Sequence, residues 1–484
     1  MTDNQTSSPQ KVAAGSNSSA NSANAISDFG IDTTSRTTRE AFGDYFAKVR
    51  GGEFGALPAV AGLIVLLIVF SGLSGYFLTI NNLANLIDQG AGETIIAIGV
   101  VFVLLLGEID LSAGTASGVC VAVAALHLQS NGNLLGAMGG TFYYAFIAVL
   151  VITVVLAVIM RIWVGAALAL VGAILLVSGF APNPWLEMLL AVCVGSGIGI
   201  VTGAMVSKVR IPSFVVTLAF FLAWNGVVIQ LVGGQGTIPL RNSPVLYAVA
   251  NGSLSVLASW ILLIVAGGGY AVVVLSRHYS RLRKGLVAQP TLMILIKVGF
   301  VVVLGVLATW LLTLNRSPNP QFSDISGVPY VVPVILALMV IGSYVLDRTR
   351  YGRHIYAVGG NKEAARRAGV DVDKIRMSVF VICSSLAAVG AIVYSSKIGS
   401  VSGAAGAGNE LLFAVGAAVI GGTSLFGGRG RVRDAVIGGA VLATVQNGLG
   451  LLGFQAATVN IVTGFVLLVA ATVDALSRRR AAAR

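Results

Sequence analysis

The segment GEIDLSAG at 107–114 sets two carboxylates, Glu108 and Asp110, between long apolar flanks. A charged side chain at the centre of a bilayer costs about 2.5–3.5 kcal/mol or more. These acids therefore belong at a helix break, near a membrane face, or beside a polar path. Asp110 is placed to cap a helix that begins near Ser112 and Gly114. Contact of Glu108, Asp110 and Ser112 with a polar solute is the alternative reading.

A second constellation lies in the longest polar stretch after the N-terminal tail, DRTRYGRHIYAVGGNKEAARRAGVDVDKIR at 347–376. Asn361 can cap a short helix whose first turn holds Lys362 and Glu363, the latter complementing the helix dipole. Ala364 and Ala365 favour the helix, Arg366 and Arg367 suit its last turn, and Gly369 can end it. Such a surface helix has no core of its own. Docking to a partner and an ordinary basic loop are the two readings its residues leave open.

A third segment, GGTSLFGGRG at 421–430, matches GEIDLSAG at three of eight positions and contains Thr423. If both segments follow spans of the same direction, a parallel internal repeat results. The glycines do not make a phosphate loop, because GxxxxGK[ST] is absent and no Gly-Lys pair occurs in the chain. Glu93, Asn225, Gln230, Glu410, Gln446 and Asn447 interrupt apolar runs. Polar groups there face a bundle interior, either as interhelical glue or lining a solute path. Three scattered Cys and three scattered His give neither a metal-binding spacing nor a disulfide framework. No nucleophile–base pair suggests an embedded enzyme.

These residues need elements to hold them, and composition names the kind. The chain is 56% hydrophobic and 10% charged, against about 25% charged in soluble domains. Lipid must cover such a surface. Residues 1–50 read as a disordered polar tail, with no signal-peptide pattern. Fourteen apolar runs of bilayer length follow, at 56–78, 83–106, 108–128, 143–160, 163–180, 186–208, 213–232, 256–276, 292–314, 330–347, 377–397, 409–428, 434–452 and 457–475. The fold class expected is an all-α polytopic bundle of about 12–14 transmembrane helices, some broken or re-entrant. The pairs 83–106/108–128 and 143–160/163–180, with their very short linkers, are the first places to look for breaks.

Placing the tail inside and alternating the spans puts 27 of the 31 Lys and Arg on the inner side. The positive-inside rule then accounts for a net charge of +12 without nucleic acid. Both termini are expected in the cytoplasm, the last being the basic segment 476–484, and 347–376 forms a cytoplasmic loop.

Across roughly 80–475 the chain resembles the permease subunits of bacterial ABC importers for monosaccharides of the ribose, xylose and arabinose type. The motifs that carry the likeness are GEIDLSAG at 107, VRIPSFVVTLAF at 209, YGRHIYAVGGNKEAARRAGV at 351, NELLFAVGAAVIGGTSLFGGRG at 409 and NGL at 447. The extra span at 292–314 and VPYVVPVILAL after it look most like the xylose branch. The region 143–180 is longer than in such permeases. The resemblance implies a permease domain over 56–475 in the bacterial inner membrane, working as a homodimer. It implies an ABC ATPase subunit holding ATP and Mg, an extracytoplasmic sugar-binding protein, and no cofactor or catalysis in this chain. The helix of Asn361 to Gly369 becomes the ATPase-coupling helix. Glu108, Asp110, Ser112, Asn225, Glu410, Thr423 and Asn447 are the residues expected along the substrate path. An ion-coupled secondary transporter using Asp88 and Glu93, or an ABC permease for another small polar solute such as an amino acid, stand as the alternatives.

Overall fold

The computed structural model describes residues 56–286, 288–317 and 324–482. The polar tail expected over 1–50 lies outside the described residues, as do the last two positions of the basic segment 476–484. Each of the fourteen apolar runs contains a helix. In chain order these are α1 (Leu57–Leu73), α2 (Ile80–Leu105), α3 (Ala113–Gln129), α4 (Gly140–Ile159), α5 (Trp163–Ser178), α6 (Pro184–Ala204) and α7 (Ser213–Val232). A short α8 (Pro244–Asn251) precedes α9 (Val256–Arg283) and α10 (Thr291–Thr313). Then come α11 (Val331–Arg348), α12 (Arg350–Gly360), α13 (Lys362–Arg367), α14 (Val372–Ile398), α15 (Glu410–Ile420), α16 (Val432–Leu451) and α17 (Ala456–Ala482). The only sheet among the described residues is a short antiparallel pair, β1 (Thr237–Pro239) with β2 (Ser400–Ser402), in which Ile238 faces Val401.

Local signals explain most helix ends. The Thr79 hydroxyl accepts a hydrogen bond from the Asn82 amide and opens α2, and Asp371 likewise caps α14 through the Lys374 amide. Pro184 occupies the first turn of α6, where a missing N–H costs nothing. The runs at 108–128 and 409–428 are among those whose helices are shorter than the apolar stretch. The run at 108–128 becomes helical only at Ala113, and the run at 409–428 stops at Ile420. Glycine explains the second case, because Gly422, Gly427 and Gly428 all hold positive φ. The long 143–180 region is a helical hairpin, α4 and α5, turned at Arg161 with φ 56.

The molecule divides into buried and lipid-facing helices. α14 lies at the centre against α2, α3, α6 and α8. Gly195, Gly199 and Gly203, four apart on α6, set its distance to α6. A Cβ on each would meet Ser384 O at 2.6 Å, Phe380 O at 2.6 Å and the Met377 Cα at 2.9 Å. Small residues at four-residue spacing let helices without a hydrophobic driving force between them gain close van der Waals contact. Of the apolar windows, 78% of the residues in α2 are buried, against 6% in α9 and 6% in α10. Ile264, Val265 and Phe300 on these outer helices are exposed, as apolar side chains facing lipid are.

Candidate functional site

At one end of the bundle α2 finishes, α14 begins, and Lys208, Arg210, Lys362, Arg366, Arg367, Arg376, Arg429 and Arg431 gather around the connecting loops. At this basic end Glu108 is buried in the break between α2 and α3. Its Oε1 receives Lys362 Nζ at 2.7 Å, Arg376 Nη2 at 2.8 Å and Arg376 Nε at 3.0 Å. Burial alone would raise the pKa of the carboxyl. The hydrogen bonds from Lys362 and Ser213 and the charges of Arg376 and Lys362 outweigh burial and hold it below the usual glutamate value. One side chain thus joins three elements: the break after α2, the short α13 and the start of α14.

The surroundings keep α13 presented outward. Asn361 Oδ1 accepts from the Ala364 amide at 2.9 Å, and Gly369 ends the turn with φ 82. Of the nine residues from Asn361 to Gly369 only Ala365 is buried; Lys362, Glu363, Arg366 and Arg367 are exposed. Glu363 and Arg366 pair at 2.7 Å on the surface. Beneath them the Tyr356 hydroxyl donates to Gly430 O at 2.8 Å, and Tyr351 shares a 2.7 Å hydrogen bond with Ser378.

The two glycine-bearing segments meet here. The Gly428 amide donates to Leu105 O at 2.8 Å, and Gly107, at φ 69, lies against the Phe426 carbonyl. Thr423 is buried in the same loop, under Gly430. Deeper in, Asp110 Oδ1 accepts from the Ser112 amide at 3.0 Å and its hydroxyl at 2.6 Å, and the Cys383 thiol lies beside the carboxyl.

Away from the basic end, α2, α3, α14, α15 and the chain joining α14 to α15 line a partly open cavity of about 270 Å³. Its polar lining comes from Ser117, Tyr394, Ser395, Ser400, Ser402 and Glu410. Glu410 is therefore the one expected path residue in this cavity. Asn447 instead exchanges hydrogen bonds with Asn82 at 2.9 and 3.0 Å, joining α16 to α2, and Asn225 is half-buried on α7. Glu93 is buried and accepts from Gln446 at 3.1 Å. Asp88 lies 3.6 Å from Lys397.

Sequence reasoning missed two features. Tyr394 and the cavity serines other than Ser117 belong to a Ser/Gly/Ala-rich stretch, YSSKIGSVSGAAGAG at 394–408, whose small polar residues were the available signal. His127 and Glu187 form a fully buried 2.6 Å pair, with the imidazole stacked on Phe180 at 4.1 Å. Sixty positions separate the two residues, and nothing local announces the contact.

The bundle, with its broken helices and outward basic helix, can be set beside known proteins. The family described as "Branched-chain amino acid transport system / permease component" matches residues 162–471. The chain belongs to this permease family. It is 30% identical over 439 residues to the xylose transport system permease protein XylH of Escherichia coli (strain K12), covering 90% of this chain and 95% of that one. To the XylH of Haemophilus influenzae it is 31% identical, over 86% of this chain and 95% of the relative. The ribose import permease protein RbsC of Escherichia coli (strain K12) is 30% identical over 89% and 96% of the two chains. No solved structure matches. The likeness to xylose- and ribose-type permeases drawn from the motifs is thereby borne out across most of the permease's length.

Proposed function

We propose that this permease is the membrane subunit of an ATP-driven importer that carries a monosaccharide, a pentose such as D-xylose, into the bacterial cytoplasm by alternating access. A homodimer in the inner membrane receives sugar from an extracytoplasmic binding protein. ATPase subunits, holding ATP and Mg, dock at the basic end, which faces the cytoplasm with both termini. The names of the relatives support the sugar class, and the observation that carries the mechanism is the Glu108 clamp. α13 is the exposed element an ATPase can grip. Lys362 on α13 and Arg376 on α14 share one oxygen of Glu108. A pull on α13 therefore reaches the break before α3 and the start of α14. The same two helices supply Ser117, Tyr394 and Ser395 to the cavity. Movement at the basic end thus reshapes the polar compartment, as a two-state element biased from one site must.

The test is uptake by proteoliposomes holding the permease with the ATPase and binding protein from its own host. ATP-dependent xylose accumulation that an uncoupler leaves intact supports the reading. Accumulation that needs no ATPase and collapses with the uncoupler would favour ion coupling through Asp88 and Glu93.

A further inference from the structure

We propose that the 270 Å³ cavity is a transit site for one uncharged polyhydroxylated molecule, with Glu410 and Tyr394 as its specificity-determining pair; this rests on the importer reading above and names where in the chain the solute is held. The first support is backbone geometry. α15 has 11 residues, about 16 Å of helix, against a hydrocarbon core of roughly 30 Å. The chain before it, 403–409, is non-helical and runs along the first turns of α3. A Cβ on Gly118 would collide with the Ala405 carbonyl, and Gly406, at φ 75, lies against Gly114. Irregular backbone at membrane depth survives only where protein buries it or where it lines a watered cavity. Residues 404–406 and 408 line this one.

The second support is the chemistry of the wall. Small-molecule pockets span roughly 300–1,000 Å³, so a volume of about 270 Å³ suits a ligand at the small end. Serine hydroxyls both donate and accept hydrogen bonds, as sugar hydroxyls do. Ile96, Val121 and Ala391 supply apolar patches for the C–H faces of a ring. Among the described residues no Lys, Arg or His lines it, so a phosphorylated or carboxylated solute finds no counter-charge from them. The nearby Lys397 is already beside Asp88 at 3.6 Å.

The third support is an unsatisfied acceptor. Glu410 interacts with the Tyr394 hydroxyl, yet its buried Oε2 has no hydrogen-bond partner among the described residues. A buried acceptor left unpaired costs about 1–3 kcal/mol, a cost that a ligand hydroxyl removes. Hydroxyl donors fit there, and binding stays weak enough for release because only one such acceptor is offered.

The experiment uses the whole importer in proteoliposomes. Glu410→Gln is expected to lower the maximal rate of xylose uptake at least tenfold, and Tyr394→Phe several-fold, with ATPase co-purification confirming that each variant folds. Independently, Ser402→Cys is treated with a small neutral maleimide; the three native cysteines are buried. Saturating xylose should slow its modification at least threefold, and xylose phosphate should not. Wild-type uptake by Glu410→Gln, or modification of Ser402→Cys at the same rate with and without sugar, overturns the site while leaving the importer reading standing. Protection by an amino sugar at lower concentration than by xylose overturns the uncharged class in favour of a cation. Absence of any ATP-driven sugar uptake by the wild-type complex instead overturns the importer reading, and the site with it.

Discussion

At the basic end three nitrogens converge on a single oxygen of Glu108, whereas in the cavity an oxygen of Glu410 has no partner among the described residues. Both are glutamates beside a broken helix, and the difference lies in what surrounds them. Glu108 is flanked by two cations contributed by separate elements, so it fixes those elements relative to one another. Glu410 is flanked by hydroxyls and backbone, so it leaves room for something else. A fully satisfied polar cluster rigidifies the elements it joins, and a partly satisfied one keeps capacity for a further partner; the first suits the proposed coupling junction and the second the proposed transit site. The ionic end and the hydroxyl-lined end are joined by α14, which begins at one and finishes at the other.

The largest expected effect comes from breaking the stiff end. Glu108→Ala leaves Arg376, whose side chain is 15% exposed, without its partner. Removing one member of a largely buried pair costs about 3 kcal/mol. Thermal unfolding of the purified permease should shift downward accordingly, and hydrogen exchange at 361–376 should accelerate. Uptake should fall more than tenfold, since movement of α13 and α14 is then no longer passed to the break before α3. Unchanged uptake in this variant would separate the clamp from coupling and erase the contrast with Glu410.

The contrast was only partly legible in the sequence. Hydrophobic runs are a local signal, and every one of the fourteen contains a helix. The capping residues were local too, and Asn361 and Gly369 bound α13 as their types imply. Partnerships were not local. Glu108 lies 254 positions from Lys362 and 268 from Arg376, and no periodicity links them. Sequence reasoning therefore grouped Glu108 with Glu410 as path residues, while the structure gives them opposite surroundings. Tyr394 and Ser395 sat at the end of an apolar run and read as span. Their exposure to a cavity follows from the non-helical chain at 403–409 beside them, which its Gly and Ala residues encode only indirectly.

A middle-sized effect follows from the charge on Glu108. Its pKa lies below the usual value because Lys362, Ser213 and Arg376 outweigh burial. A carboxyl with a depressed folded pKa contributes stability above its unfolded pKa of about 4.3, and that stability is lost as pH falls through the folded value. The difference in melting temperature between wild type and Glu108→Gln should therefore stay constant from about pH 8 to pH 5 and close only below roughly pH 4.3. A difference that closes near pH 6 would mean that Glu108 is not held as an ion, and the stiff end would then resemble the soft one.

The smallest effect on stability is expected on the outer face of α13. Glu363 and Arg366 pair at 2.7 Å, but their side chains are 69% and 51% exposed, and exposed pairs are worth about 0–1 kcal/mol. Glu363→Ala should leave the melting temperature within error of wild type. The same substitution removes a charge from the surface proposed to meet the ATPase, so co-purification of the ATPase and sugar-stimulated hydrolysis should both fall. Replacing Glu363 and Arg367 together should abolish the stimulation while membrane insertion persists. Loss of docking without loss of stability marks α13 as a surface built for a partner, whereas Glu108 is built for its own chain. If instead the double variant keeps full sugar-stimulated hydrolysis, the grip lies elsewhere at the basic end, and the exposed Arg350 and Arg353 of α12 become the next residues to exchange.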